Sequence, residues 1–311
     1  MAEFIDILQQ RVNKLAEKVA QYTKNKQIME ETHAIATLVR TESRKRKKLP
    51  SKAVTELEPS KIPDLFFLKE GDPTDDELRP KDHEMVPLPG HLEIVLDDYA
   101  LATGGSPANE AMLRSRIDAI MLCTLAMMKR ECVYNPRLST GSIQSTDSIR
   151  SLHLQFERSI KTPWKVEGTE YLLSGVVDYS LWFGTPQNYE TNLVMVEAKR
   201  VGALDSGMFQ CLAFMAIIHH ARKKANMKNT SVYGIVTDSF RWDFIQIRGN
   251  SEYITRRYRW KYRKVQIVSL LYKIFETTAH SSSIQPQPQR KRWREGSDTE
   301  FTAELEQPRR G

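Results

Sequence analysis

Gly175-Val176-Val177-Asp178 and Val194-Met195-Val196-Glu197-Ala198-Lys199 are the two stretches on which the fold turns. Each is an apolar run broken by an acid. A carboxylate inside an apolar strand is costly unless it is paired, protonated or holding a cation. Side chains alternate at a period of two, so Glu197 and Lys199 project from one face of their strand. If the strand of Asp178 lies beside it, an Asp, a Glu and a Lys converge on one point. Hard divalent ions such as Mg²⁺ accept such oxygen ligands, and a lysine beside them can orient a water or stabilise charge on a transferring phosphoryl group. A strand ending in acid-x-basic is also common as a plain ion pair, with Asp178 satisfied by backbone donors. The order of elements favours the site: an acid in a strand, a second strand ending Glu-x-Lys, then a helix.

Outward from this pair the pattern is regular. Leu152 to Ile160 and Tyr171 to Phe183 read as strands, and Leu193 to Lys199 as a short buried one. Gly207 to Lys224 is apolar at helical spacing (Met208, Cys211, Leu212, Met215, Ile218). Val232 to Thr237 and Trp242 to Ile247 are further strands, Glu252 to Lys264 alternates again, and Val265 to Thr278 closes with a helix. Upstream, Ser106-Pro107 opens a helix with the apolar face Met112, Ile117, Ile120, Met121 and Leu125. This succession predicts an α/β domain over residues 105–278, a mixed central sheet flanked by helices.

Residues 1–42 lack Gly and Pro, and Phe4, Leu8, Val12, Leu15, Val19 and Tyr22 share a helical face. They predict an amphipathic helix, either docked on the domain or pairing copies through residues 2–40 as a coiled coil. Five consecutive basic residues follow, Arg44, Lys45, Arg46, Lys47 and Lys48, which cannot pack and read as a nuclear import signal or nucleic-acid arm. The rest of 43–104 is acidic and Pro-containing and reads as a linker. Residues 279–311 read as a disordered tail with a second basic cluster, Arg290 to Arg294. The net charge of +7 favours an anionic partner without requiring one. Three cysteines with no CxxC pair exclude a disulfide scaffold and give no start to a zinc site. No apolar run approaches the roughly 20 residues of a membrane span. With no basic, apolar leader at the start, the expectation is a soluble intracellular protein, located in the nucleus, with no membrane partner.

The Asp178 and Glu197-Ala198-Lys199 stretches, in that succession of elements, resemble the PD-(D/E)xK nuclease superfamily, whose core runs helix, three strands, helix, strand. The resemblance covers about half of the chain, residues 105–250. It is especially similar to fungal nuclease-like domains, including those behind an N-terminal coiled coil in spore-killer proteins. It implies a restriction-endonuclease-like core with Asp178, Glu197 and the Ala198 carbonyl as ligands of Mg²⁺ or Mn²⁺, and Lys199 as the catalytic lysine. Glu110 matches the helix acid that many members add to the metal site, although a first-turn glutamate is also favoured by the helix dipole alone. Gln210 matches a Gln that some members carry four residues before a Tyr. That partner is Phe214 here, so no tyrosine hydroxyl is present.

Arg256-Arg257-Tyr258-Arg259-Trp260-Lys261-Tyr262-Arg263-Lys264, read as a strand, would show a basic row (Arg257, Arg259, Lys261, Arg263) opposite an aromatic one. The basic row suits a phosphate backbone; the aromatics suit either unpaired bases or the domain core. The expectation is a metal-dependent nuclease acting on nucleic acid, DNA favoured over RNA. The alternative is a catalytically weak nuclease fold that binds nucleic acid or protein partners and assembles through its N-terminal helix.

Overall fold

The computed structural model describes residues 10–15, 17, 32, 34–37, 49–72, 77–104, 109–134, 149–183, 192–199 and 202–283. In chain order the elements are β1 (Ser51–Ala53), α1 (Ile62–Leu65), β2 (Lys69–Glu70), α2 (Leu92–Ala102), α3 (Glu110–Tyr134), β3 (Leu152–Val166), β4 (Thr169–Phe183), β5 (Asn192–Ala198), α4 (Leu204–Lys224), β6 (Val232–Thr237), β7 (Arg241–Ile247), β8 (Glu252–Arg259) and α5 (Trp260–Ser283). The strands form one mixed sheet of eight, ordered β1-β4-β5-β6-β7-β8-β2, with β3 paired to β4 off this path. The α/β class and the helix-flanked mixed sheet are as the sequence predicts.

The longest pairing is the β3–β4 hairpin. Its two-residue turn, Glu167 and Gly168, has φ of 48° and 86°, the doubly positive turn whose twist matches that of the flanking strands. β3 runs beyond Ile160 to Val166 through Pro163, which a strand with one unpaired edge tolerates. The start of α3 is capped by Asn109, whose Oδ1 accepts the Met112 amide at 2.9 Å.

Two apolar clusters fill the two faces. On one, Ile117, Ile120, Met121 and Leu125 of α3 meet Ile267, Leu271 and Phe275 of α5 beneath Val196, Ile235 and Phe244. On the other, Leu212, Phe214, Met215 and Ile218 of α4 pack on Val177, Val236 and Ile245. Every residue from Cys211 to His219 in α4 is buried, which one sheet face cannot accomplish alone. The second cover is the segment 51–70. Val54, Leu57, Ile62, Phe66 and Leu68 belong to the same cluster, and the His220 Nε2–H donates to the Phe66 carbonyl at 2.8 Å. β1 pairs parallel with β4 and β2 parallel with β8. The segment is therefore a strap, crossing over α4 and clasping both ends of the sheet.

Two sequence expectations are corrected here. Residues 51–102 are no linker: they supply two strands, α1, α2 and buried core. Strands of three and two residues carry no readable period, which is why they were not foreseen. The strand expected over 252–264 stops at Arg259, where the Trp260 amide donates to the Phe240 carbonyl at 2.7 Å and α5 begins. The helix is broken again at Arg263, with φ −138° and ψ 32°, so no single basic row exists. The helix over 1–42 lies largely outside the described residues. The basic run Arg44–Lys48 lies wholly outside them, and of the tail expected over 279–311 only residues 279–283 are described, where they continue α5 and are not disordered.

Candidate active site

Because β3 occupies one edge of β4 along its whole length, β1 and β5 must share the other. β1 covers Leu172–Ser174 and β5 covers Tyr179–Trp182. Residues 175–178 face the notch between them, and Asp178 sits at its β5 end. β4 changes faces here: Leu173 and Val177 belong to the α4-side cluster, Tyr179 and Leu181 to the α3-side cluster. On β3, opposite Asp178 in register, Glu157 has a φ of 50°, an uncommon backbone state for a non-glycine residue.

The β4–β5 ladder ends at the pair Tyr179 and Val196. One step beyond, the Asp178 carboxylate replaces a backbone acceptor: its Oδ2 takes the Ala198 amide at 2.8 Å. This bond fixes Asp178 beside Glu197, which is 3% exposed. The Lys199 ammonium donates to Glu197 Oε1 at 2.6 Å and to Gln210 Oε1 at 3.1 Å. A Cβ at Gly207 would lie 2.7 Å from Lys199 Cγ and 3.0 Å from Val236 Cγ1, so glycine lets the start of α4 press the lysine stem against the sheet. The structure thus brings Asp178, Glu197, Ala198, Lys199 and Gln210 together.

Glu110 arrives only indirectly. Arg114, one turn along α3, places Nη2 at 3.1 Å from Glu110 Oε1 and 2.6 Å from Asp178 Oδ1, with Glu157 at 3.9 Å. Sequence reasoning missed Arg114. Its i,i+4 spacing from Glu110 was visible, but the pairing with Asp178 depends on which side of α3 meets β4. Among the described residues, no group of three Asp, Glu, His or Cys side chains forms a ready ligand set.

Glu197 Oε2 is buried with no hydrogen-bond partner. Burial, then the Asp178 charge, push the Glu197 carboxyl up to about 7, against the pull of Lys199. The Tyr179 phenol is pushed up as well, by burial and by Asp118 on α3. A buried carboxylate with one unsatisfied oxygen and a second carboxylate across the ladder are oxygen donors of the kind a hard cation takes.

Of the basic residues singled out, Arg257 leans back onto the sheet. Its Nε donates to Asp243 Oδ1 at 3.1 Å, and Arg241 grips the same carboxylate at 2.9 and 2.5 Å. Lys264 pairs with Glu93 of α2 and Lys261 sits 5.6 Å over the Tyr262 ring. Trp260 is buried in the core. No protein-family model and no curated protein matches the chain.

Proposed function

We propose that the chain is a nuclease with a restriction-endonuclease-like core that hydrolyses phosphodiester bonds in nucleic acid, DNA before RNA, with Mg²⁺ or Mn²⁺. The observation that carries this reading is the bond from the Ala198 amide to Asp178, which sets the carboxylate of Asp178 on β4 beside that of Glu197 on β5, with Lys199 just past the end of β5. Asp178, Glu197 and the Ala198 carbonyl would hold the cation, and the unsatisfied Glu197 Oε2 supports that assignment. When bound, such a cation supplies Lewis-acid polarisation of a phosphoryl oxygen and activates water. Lys199, steered by Glu197 and Gln210, places an ammonium where negative charge develops on the transferring phosphate. Gln210 is a positioning residue for that lysine. The N-terminal helix would pair copies of the chain, and Arg44–Lys48 would deliver it to the nucleus.

The Arg114–Asp178 ion pair favours a second reading, a nuclease fold of weak catalysis that binds its partner. One experiment separates them. Pure protein with plasmid or single-stranded DNA should cut in Mg²⁺ or Mn²⁺ and not in EDTA. Lys199→Ala and Asp178→Asn should each lower the rate at least a hundredfold, the scale on which removing one transition-state donor acts. Lys199→Ala should leave affinity measured in EDTA unchanged, since its contribution is to the transition state. A Lys199→Ala protein that cuts like the wild type overturns the enzyme reading.

A further inference from the structure

Along the outer edge of β8, β2 pairs only with Glu252 and Tyr253. Past that point a cleft of about 570 Å³ opens between β8, the segment around residues 79–85 and the first turn of α5. Five arginines line it: Arg79, Arg256, Arg257, Arg259 and Arg263. Asp82 is the one carboxylate in the lining. Among the described residues, Arg79, Arg259 and Arg263 have no carboxylate partner. The Tyr258 hydroxyl, which donates to the Leu78 carbonyl at 2.9 Å, feels the positive charge of Arg256, Arg79 and Arg263 together. Tyr262, 68% exposed, stands in the same wall.

The cleft and the candidate active site lie on one face of the sheet, with Val236 and Asp243 buried between them. Glu197, Val236, Asp243 and Arg257 are successive register partners on β5, β6, β7 and β8, so their side chains share one face of the sheet. Three strand spacings of roughly 4.8 Å separate Glu197 from Arg257, about 14 Å in all. Arg257 lies both on this line and in the cleft.

We infer that the arginine cleft holds an unpaired nucleic-acid strand, the continuation of one whose scissile phosphate lies at Glu197 and Lys199; the inference rests on the nuclease reading for that second half only. Guanidinium groups at this density suit successive phosphates, to which arginine donates in a planar fork. A pocket of this volume has the size of a small-ligand site, roughly 300–1,000 Å³, room for one nucleotide unit to sink into it. An exposed tyrosine among cations is a stacking platform for a base, and only an unpaired strand offers its base faces.

The test is fluorescence anisotropy of the full chain in EDTA with a labelled oligothymidylate, an abasic oligomer and a duplex. The wild type should bind the single strand at least tenfold more tightly than the duplex. Replacing Arg79, Arg259 and Arg263 together by Ala should weaken single-strand binding at least tenfold and flatten its log–log salt slope by about 2, at roughly 0.7 per phosphate contact. Tyr262→Ala should weaken the oligothymidylate and leave the abasic oligomer unchanged. Equal affinity for single strand and duplex, a triple variant that binds like the wild type, or a Tyr262→Ala protein with unaltered affinity each overturns the inference. A wild type that never cuts in Mg²⁺ removes the nuclease reading and leaves these binding outcomes as they stand.

Discussion

Asp178 offers its two oxygens to two different donors, the Ala198 amide and the Arg114 guanidinium. The first bond is positional, and the second is a charge that any incoming cation must share the carboxylate with. At an effective dielectric near 20, a unit charge about 4 Å away contributes roughly 4 kcal/mol, so even a partial relief is measurable. Arg114→Ala should therefore tighten Mn²⁺ binding about tenfold, or roughly 1.4 kcal/mol, read by isothermal titration calorimetry. Unchanged or weaker binding would mean that Arg114 holds Asp178 in place rather than competing for it. At this scale the sequence is partly legible. Asp178 and Glu197 stand out because acids interrupt apolar strands, and Lys199 because it shares a face with Glu197. Gln210 was found through resemblance alone, and Arg114 not at all, because its partner lies across a helix–sheet contact that no local pattern encodes.

Among the elements, α4 shows how a sequence can give the element and hide its surroundings. The helical spacing of Met208, Cys211, Leu212, Met215 and Ile218 predicts a helix, and the basic Arg222, Lys223 and Lys224 mark its end. What covers its outer side could not be read, since the strap has strands too short to alternate and a proline-bearing composition typical of connectors. The strap carries the described domain upstream of residue 105, to residue 51 and beyond. A chain beginning at residue 73 should lose cooperative unfolding, or drop in midpoint by more than about 10 °C, near 3–5 kcal/mol for a domain this size. A chain beginning at 49 should keep the full-length midpoint. Circular dichroism with heating measures both, and a cooperative, undiminished transition without the strap would show that it merely decorates α4. The basic 256–264 stretch failed for the opposite reason: its alternation was real over β8 and coincidental past Arg259, where the Trp260 ring enters the core.

For the molecule as a whole, the buried His219 gives a handle on stability. Its Nδ1–H donates to the Thr230 carbonyl at 2.7 Å, which leaves Nε2 to accept from the Ser251 hydroxyl at 3.0 Å, so the neutral ring joins α4 to the turns before β6 and β8. Burial above all, with Lys223, His220 and Arg222 nearby, brings its pKa down to about 4 from 6.5, against the Thr230 carbonyl. The unfolded chain then binds the proton first. Stability is intact above about pH 6.5 and falls as the pH drops toward 4, by about 3 kcal/mol for this group. Urea midpoints measured against pH should fall more steeply between 6.5 and 4.5 for the wild type than for His219→Gln. Identical slopes would place the ring's titration elsewhere. The strap also has a consequence in time. Its strands are the first of the sheet to leave the ribosome, yet β1 needs Leu172–Ser174 and β2 needs Glu252 and Tyr253. At about 5–20 residues per second, the strap waits roughly 10–40 s for its last partner to be made. Until then the outer side of α4 is an apolar surface in search of cover, so this chain's demand for chaperones should be greatest late in its own synthesis.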